Sequence, residues 1–126
     1  MMQPTDDFDA AALARSLLRR RREGALATLM PGTGAPYCSL VNCASTPDGS
    51  PLLLVSRLAL HTRNMLADAR ISLMLDERAP GDPLEGARIM VSGAAQLADG
   101  NSVANLRQRY LSAHPGAEAF VGFKDF

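Results

Sequence analysis

Two strand-length runs rich in apolar and β-favouring residues, 25–30 (ALATLM) and 37–43 (YCSLVNC), stand only a turn apart in this chain. The link between them, opening with Pro31-Gly32-Thr33-Gly34, is too short and too rich in turn formers to hold a helix. A third run, 51–55 (PLLLV), follows the turn signal Thr46-Pro47-Asp48-Gly49 and is wholly apolar, the pattern of a strand buried on both faces. Three strands joined so directly read as an antiparallel meander, because a parallel crossover needs about a dozen residues or more. Strand-like runs at 70–75 and 87–97, the latter with Gly93 as a candidate bulge, bring the tally to five. Strands that follow strands exclude a doubly wound parallel sheet. They point to a small, mainly β barrel of the α+β class with helices at its periphery.

Three segments carry helical spacing. Apolar Phe8, Ala11, Ala12, Leu13, Leu17 and Leu18 predict a helix over about 7–23, with Asp6 and Asp7 at its positive end, four arginines (19–22) at its negative end and Gly24 as its stop. The arginine run has two readings, a phosphate or RNA contact and the solvated last turn of this helix. Thirteen Lys+Arg against thirteen Asp+Glu leave zero net charge, which favours the second. Residues 58–69 place Leu58, Thr62, Met65, Leu66 and Ala69 on one face, and 101–113 do the same with Val103, Leu106, Tyr110 and Leu111 before Pro115-Gly116. The polar stretch 76–86 reads as a long exposed loop.

At 126 residues, 47% hydrophobic and 21% charged, the chain is expected to form one folded domain. A chain of this size hides roughly two thirds of its unfolded surface, so a deep ligand pocket calls for a second subunit. Cys38 and Cys43 on one strand face opposite ways and stand roughly 16 Å apart at about 3.3 Å per residue, too far to bridge. Two Cys and two His without CxxC or HxxxH spacing argue against structural zinc. The N-terminal segment lacks the apolar stretch of a signal peptide and no run is long enough to span a membrane, so a cytoplasmic location is expected, with neither membrane nor nucleic acid as a partner.

No GxSxG, Walker loop or other hydrolytic constellation is present, so any chemistry is expected to reside in a cofactor. The informative segment is 55–64 (VSRLALHTRN), where a buried strand empties into a helix start dense with donors. Unpaired N–H groups there form a ready phosphate site, completed by Ser56, Arg57, His61, Thr62 or Arg63. The alternative is that Ser56 or Thr62 caps the helix while His61 and Arg63 face solvent. Ser39 shares a strand face with Tyr37 and Val41, and Arg88 opens the later strand; each is a further polar candidate, Arg88 equally a surface ion-pair partner.

The runs GAPYCSLVNCASTPDGSPLLLVSRLALHTRNMLADARISLML, GDPLEGARIMVSGAAQL and RYLSAHPGAEAFVGFKDF resemble the pyridoxamine 5′-phosphate oxidase-like FMN-binding split-barrel proteins over about residues 9–126. Within them the chain is most similar to the branch containing haem-utilisation proteins, in which an SxLAxHTxN segment follows a buried strand. The resemblance implies a six-stranded antiparallel split barrel, a homodimer, and FMN in clefts at the dimer interface. The oxidases' flavin-binding arginine and lysine fall on Ser39 and Ala44, their Ser-Arg-Lys clamp on Ala59, Leu60 and His61, and a glutamine on Arg88. These departures argue against vitamin B6 oxidation. The polar set implied instead for the branch is Ser39, Ser56, His61, Thr62 and Arg88, with the phosphate at the helix start and the backbone through Arg57 beside the ribityl chain or ring. No catalytic side chain and no metal ligand is implied.

The leading expectation is an FMN-dependent oxidoreductase acting on a small or planar molecule. A haem-binding or haem-degrading relative, in which a histidine ligates iron although His114 reads as structural, and a non-catalytic flavin-binding dimer are the alternatives. Relatives usually continue beyond the Gly-Phe-x-Asp-Phe segment into a further strand and a Gly-rich tail, so the chain is expected to lack that strand.

Overall fold

The computed structural model describes residues 8–78 and 80–126, so Asp6 and Asp7, expected at the first helix start, lie outside the described residues. Helix α1 (Ala10–Arg20) begins at Asp9, whose carboxylate accepts the Ala12 N–H at 3.0 Å, and ends with Arg19 and Arg20 in its last turn. Strands β1 (Glu23–Leu29) and β2 (Pro36–Asn42) form a hairpin whose turn places Gly32 and Gly34 at φ of 83° and 71°, values that favour glycine. A short ribbon of β3 (Ala44–Ser45) and β4 (Pro51–Leu52) follows, then α2 (Leu60–Ala67), β5 (Arg70–Asp76), β6 (Arg88–Ala94) and α3 (Ser102–Ala113). Single 3-10 turns occupy Pro83–Glu85 and Pro115–Ala119.

The main sheet is antiparallel with order β2-β1-β5-β6, and β3 pairs only with β4. The three-strand meander expected from the sequence is therefore not formed. The third apolar run contributes only Pro51–Leu52 to a ladder. Its next residues are held by packing instead, with Leu53 against the cluster of Leu26, Val41, Cys43, Leu73 and Leu75, and Leu54 against that of Ala44, Tyr110 and Ala117. An extended segment between two clusters needs apolar residues on both sides, and this reproduces the pattern of a doubly buried strand.

Both glycine readings within the sheet are corrected. Gly24 does not stop α1, whose end is marked by the Arg21 N–H donating to the Leu17 carbonyl. It lies inside β1, where a Cβ would stand 2.7 Å from the Met74 carbonyl oxygen and 2.7 Å from a Leu75 methyl. Glycine is required there by the close approach of β5. Gly93 forms no bulge, because the β5–β6 register runs unbroken from Arg70↔Ala94 to Asp76↔Arg88.

Alternation along the strands separates two faces. The core face carries Leu26, Val41, Leu73 and Leu75 and is covered by α1 through Leu18 and by α2 through Met65. On the other face Leu40, Ala25, Met74 and Met90 stand in register across all four strands. Leu40 is 72% exposed, Met74 44% and Met90 69%, so this apolar row is open. Both cysteines are free, Cys38 exposed and Cys43 buried, and burial pushes the Cys43 thiol up to about 11.

Replacing Gly24 with alanine is expected to push β1 away from β5 and destabilise the fold by about 1–3 kcal/mol. Urea denaturation of Gly24→Ala against the parent chain measures this, and an unchanged midpoint would mean that the strands have room to spare.

Candidate cofactor site at the start of α2

The chain enters α2 through a loop anchored to the last residues described. The Ser56 hydroxyl donates to Asp125 Oδ2 at 2.7 Å and accepts the Leu58 N–H at 3.1 Å, while the Arg57 N–H donates to the Asp125 carbonyl at 2.7 Å. Ser56 therefore holds the loop in place rather than presenting a free hydroxyl. The Arg57 side chain is exposed.

Ala59 occupies the N-cap and, among the described residues, no side chain caps the helix, so neither Ser56 nor Thr62 fills the capping role. Among the described residues the N–H groups of Leu60, His61 and Thr62 have no acceptor. Thr62 is buried and its Oγ1 has no partner; the Oγ of Ser39 is likewise buried and unpartnered. The β1–β2 register pairs Ser39 with Leu26 and Tyr37 with Thr28, so Ser39 and Thr28 share the core face, over which α2 packs.

Asn64 was not among the polar candidates singled out from the sequence. It is 0% exposed, its Nδ2 donates to Thr28 Oγ1 at 3.0 Å, and its Oδ1 has no partner. The helical pattern assigned the buried face to Leu58, Thr62, Met65, Leu66 and Ala69, yet Leu58 is 75% and Leu66 61% exposed. The available signal was Thr28, a polar residue in phase with the buried Leu26.

His61, in the first turn, is half-buried and makes no hydrogen bond among the described residues. Burial lowers its pKa below the ordinary 6.5, so the neutral imidazole prevails at pH 7. The charged form is the one disfavoured by the fold, so this residue erodes stability as the pH falls below 6.5 rather than as it rises.

Arg88 is not brought to this cluster within one chain. It is paired in register with Asp76 on the open face of the sheet, beside Met90 and opposite the core face, and its Nη1 donates to the Leu84 carbonyl at 2.9 Å. The register puts its side chain there because every residue in phase with Ile89 and Val91 takes the other side. Ala44, where the oxidases carry lysine, is buried against Tyr110 and Ala117. His114 is committed elsewhere, with Nε2 2.8 Å from the Cys43 carbonyl and its ring 4.8 Å from that of Tyr110.

Thr62 and the free N–H groups at the start of α2 thus offer donors that the described residues leave without an acceptor, an arrangement suited to an anionic group, and Ser39 on the core face of β2 carries a further unpartnered hydroxyl. The architecture is an antiparallel split β-barrel of the α+β class. The CREG β-barrel family model matches residues 5–126, and the chain belongs to that family. It is 43% identical over 93 residues to the non-canonical heme oxygenase HOZ of Arabidopsis thaliana chloroplasts, a match covering 74% of this chain and 28% of that protein. Among solved structures it is similar to a protein of unknown function from Agrobacterium tumefaciens, with TM-score 0.87 and 36% identity over 98% of this chain and 54% of the other. A heme binding protein from Mycobacterium smegmatis superposes with TM-score 0.86 and 32% identity over 100% of this chain and 50% of that one. The chain thus spans about half the length of these structures. Among the described residues no helix is long and apolar enough to cross a membrane.

Replacing Asn64 with alanine strands the buried Thr28 hydroxyl and is expected to cost about 1–3 kcal/mol, with Thr28→Val and Asn64→Ala together costing less than the sum of the two. Thermal melts of the single and double variants test the coupling, and strict additivity would show that the bond does not dock α2.

Proposed function

We propose that this chain is an FMN-binding split-barrel domain related to pyridoxamine 5′-phosphate oxidase, working as a homodimeric oxidoreductase on a small molecule. The observation that carries the reading is the buried, unpartnered hydroxyl of Thr62 on the turn whose N–H groups at residues 60–62 are free, together with the unpartnered hydroxyl of Ser39 on the core face. A buried polar group left unpaired costs about 1–3 kcal/mol, and phosphate oxygens are acceptors for all of these donors. Asn64 Oδ1 is an acceptor and calls for a donor, which the hydroxyls of a ribityl chain supply. Neutral His61 offers a ring N–H, and the Ser56–Asp125 bond fixes the loop that leads to it. When bound, the flavin supplies the hydride transfer; the chain supplies position and electrostatics, with no side chain needed as acid or base.

The open row Leu40, Ala25, Met74 and Met90 supports a second copy of the chain as partner, because contiguous apolar surface of this kind is characteristic of interaction sites. Arg88 lies on the same face, so the second copy is also the route by which Arg88 reaches a cofactor shared across the interface. Two free cysteines suit a reducing compartment, here the cytoplasm.

Haem is the second reading, favoured by the heme oxygenase and heme binding protein among the relatives and by His61, a neutral imidazole without a hydrogen-bond partner.

Titration of the purified protein with FMN and with haemin, followed in the visible spectrum, tests both. Retained two-band flavin absorbance is expected, weakened roughly tenfold by Thr62→Val with turnover per bound flavin unchanged. Met90→Glu is expected to give a monomer that binds FMN poorly. A Soret band without flavin binding would transfer the assignment to haem, and neither spectrum would refute both. Reduction of bound flavin by NAD(P)H separates an enzyme from a flavin carrier.

A further inference from the structure

The arginine run at 19–22 divides its charges between two directions. Arg20 pairs with Glu77 at 3.4 Å and Arg21 with Glu23 at 3.7 Å. Arg19 and Arg22 instead line a groove of about 280 Å³ that Arg109 of α3 also lines, with Ser45 and Ser112 adding hydroxyls. No carboxylate lines this groove, and none of the three arginines forms an ion pair among the described residues.

What holds these guanidiniums is neutral. Arg19 Nη2 donates to the Pro47 carbonyl at 3.0 Å and Arg22 Nη1 to the Arg19 carbonyl at 3.1 Å. Arg109 donates from Nε to the Ser45 carbonyl at 2.8 Å and from Nη2 to the Thr46 carbonyl at 3.3 Å. Carbonyls orient a guanidinium without cancelling its charge, and each guanidinium has five N–H donors, so most stay free. Three oriented, uncompensated cations around one groove repel each other, in a chain whose formal net charge is zero. A dianion relieves that repulsion, and phosphate matches the forked donors of arginine.

We propose that the groove between α1, β3 and α3 binds a small phosphate monoester or free phosphate. It shares no residue with the start of α2, so the proposal stands independently of the cofactor assigned there. The volume lies just below the ~300–1,000 Å³ typical of sites for drug-sized ligands, which admits a phosphate with a small organic substituent and leaves out a whole flavin nucleotide.

An NMR titration of the full chain with inorganic phosphate and with glycerol 3-phosphate, at ionic strength held constant with chloride, tests it. The Nε–H signals of Arg19, Arg22 and Arg109 are expected to shift together along one saturation curve. Arg22→Gln is expected to weaken the curve read at Arg109 roughly tenfold. Arg22 is exposed and anchors only to its own helix end, so this variant keeps the fold; Arg109→Gln, which also releases the chain at Ser45, is checked by its melting curve. Tighter binding of glycerol 3-phosphate identifies a monoester as the ligand, and tighter binding of phosphate identifies the free ion. Unmoved arginine signals, shifts confined to the amides of residues 60–62, or an undiminished curve in Arg22→Gln would each overturn the proposal.

Discussion

The hydrogen bond from Asn64 to Thr28 ties α2 to the sheet, and the placing of the proposed cofactor site follows from it. α2 has little apolar surface to bury, since Leu66 points outward and only Met65 reaches the main cluster. A helix of this kind is held by a specific polar contact in the core rather than by a broad hydrophobic stripe, and such a contact permits one rotation of the helix about its axis. That rotation buries Thr62, and it leaves the uncapped start of the helix beside the loop that Ser56 ties to Asp125.

The sheet beneath depends on a different constraint. Gly24 brings β1 against β5, and this pairing converts a simple β1–β2 hairpin into a four-stranded sheet with α1 and α2 on one side. Among the described residues no helix covers the opposite side, where Leu40, Met74 and Met90 stay exposed. The two faces therefore divide the roles: the core face supplies rigidity and the buried hydroxyl of Ser39, while the open face carries Arg88 and the apolar row that we assign to a second copy. Zero net charge conceals a similar division, because Arg20 and Arg21 have carboxylate partners in Glu77 and Glu23 while Arg19, Arg22 and Arg109 are left to the groove.

Local elements were legible in the sequence because their signals are local. The runs at 25–30, 37–43 and 70–75 became β1, β2 and β5, and the helical spacing at 58–69 and 101–113 became α2 and α3, each within about two residues of the expected bounds. Pairing was not legible, since the contact of β1 with β5 links distant segments through a close approach that the sequence shows only as a glycine following a basic run. The strand phase of Ser39 and the helix-start position of Thr62 were legible, and both hydroxyls are buried without a partner among the described residues. Asn64 was missed because an apolar pattern cannot anticipate a helix docked by an amide. Arg88 lay beyond the same logic, because the side of a sheet that a residue takes depends on register, and a single step reverses it.

The central claim is that the start of α2 is an acceptor-seeking site completed by the phosphate of a flavin nucleotide. Amide hydrogen exchange of residues 60–62, measured with and without FMN, tests it most directly. The account predicts that FMN slows exchange at Leu60, His61 and Thr62, and that riboflavin, which has no phosphate, does not. Equal protection by riboflavin and FMN, or protection that leaves these three amides untouched, would contradict it.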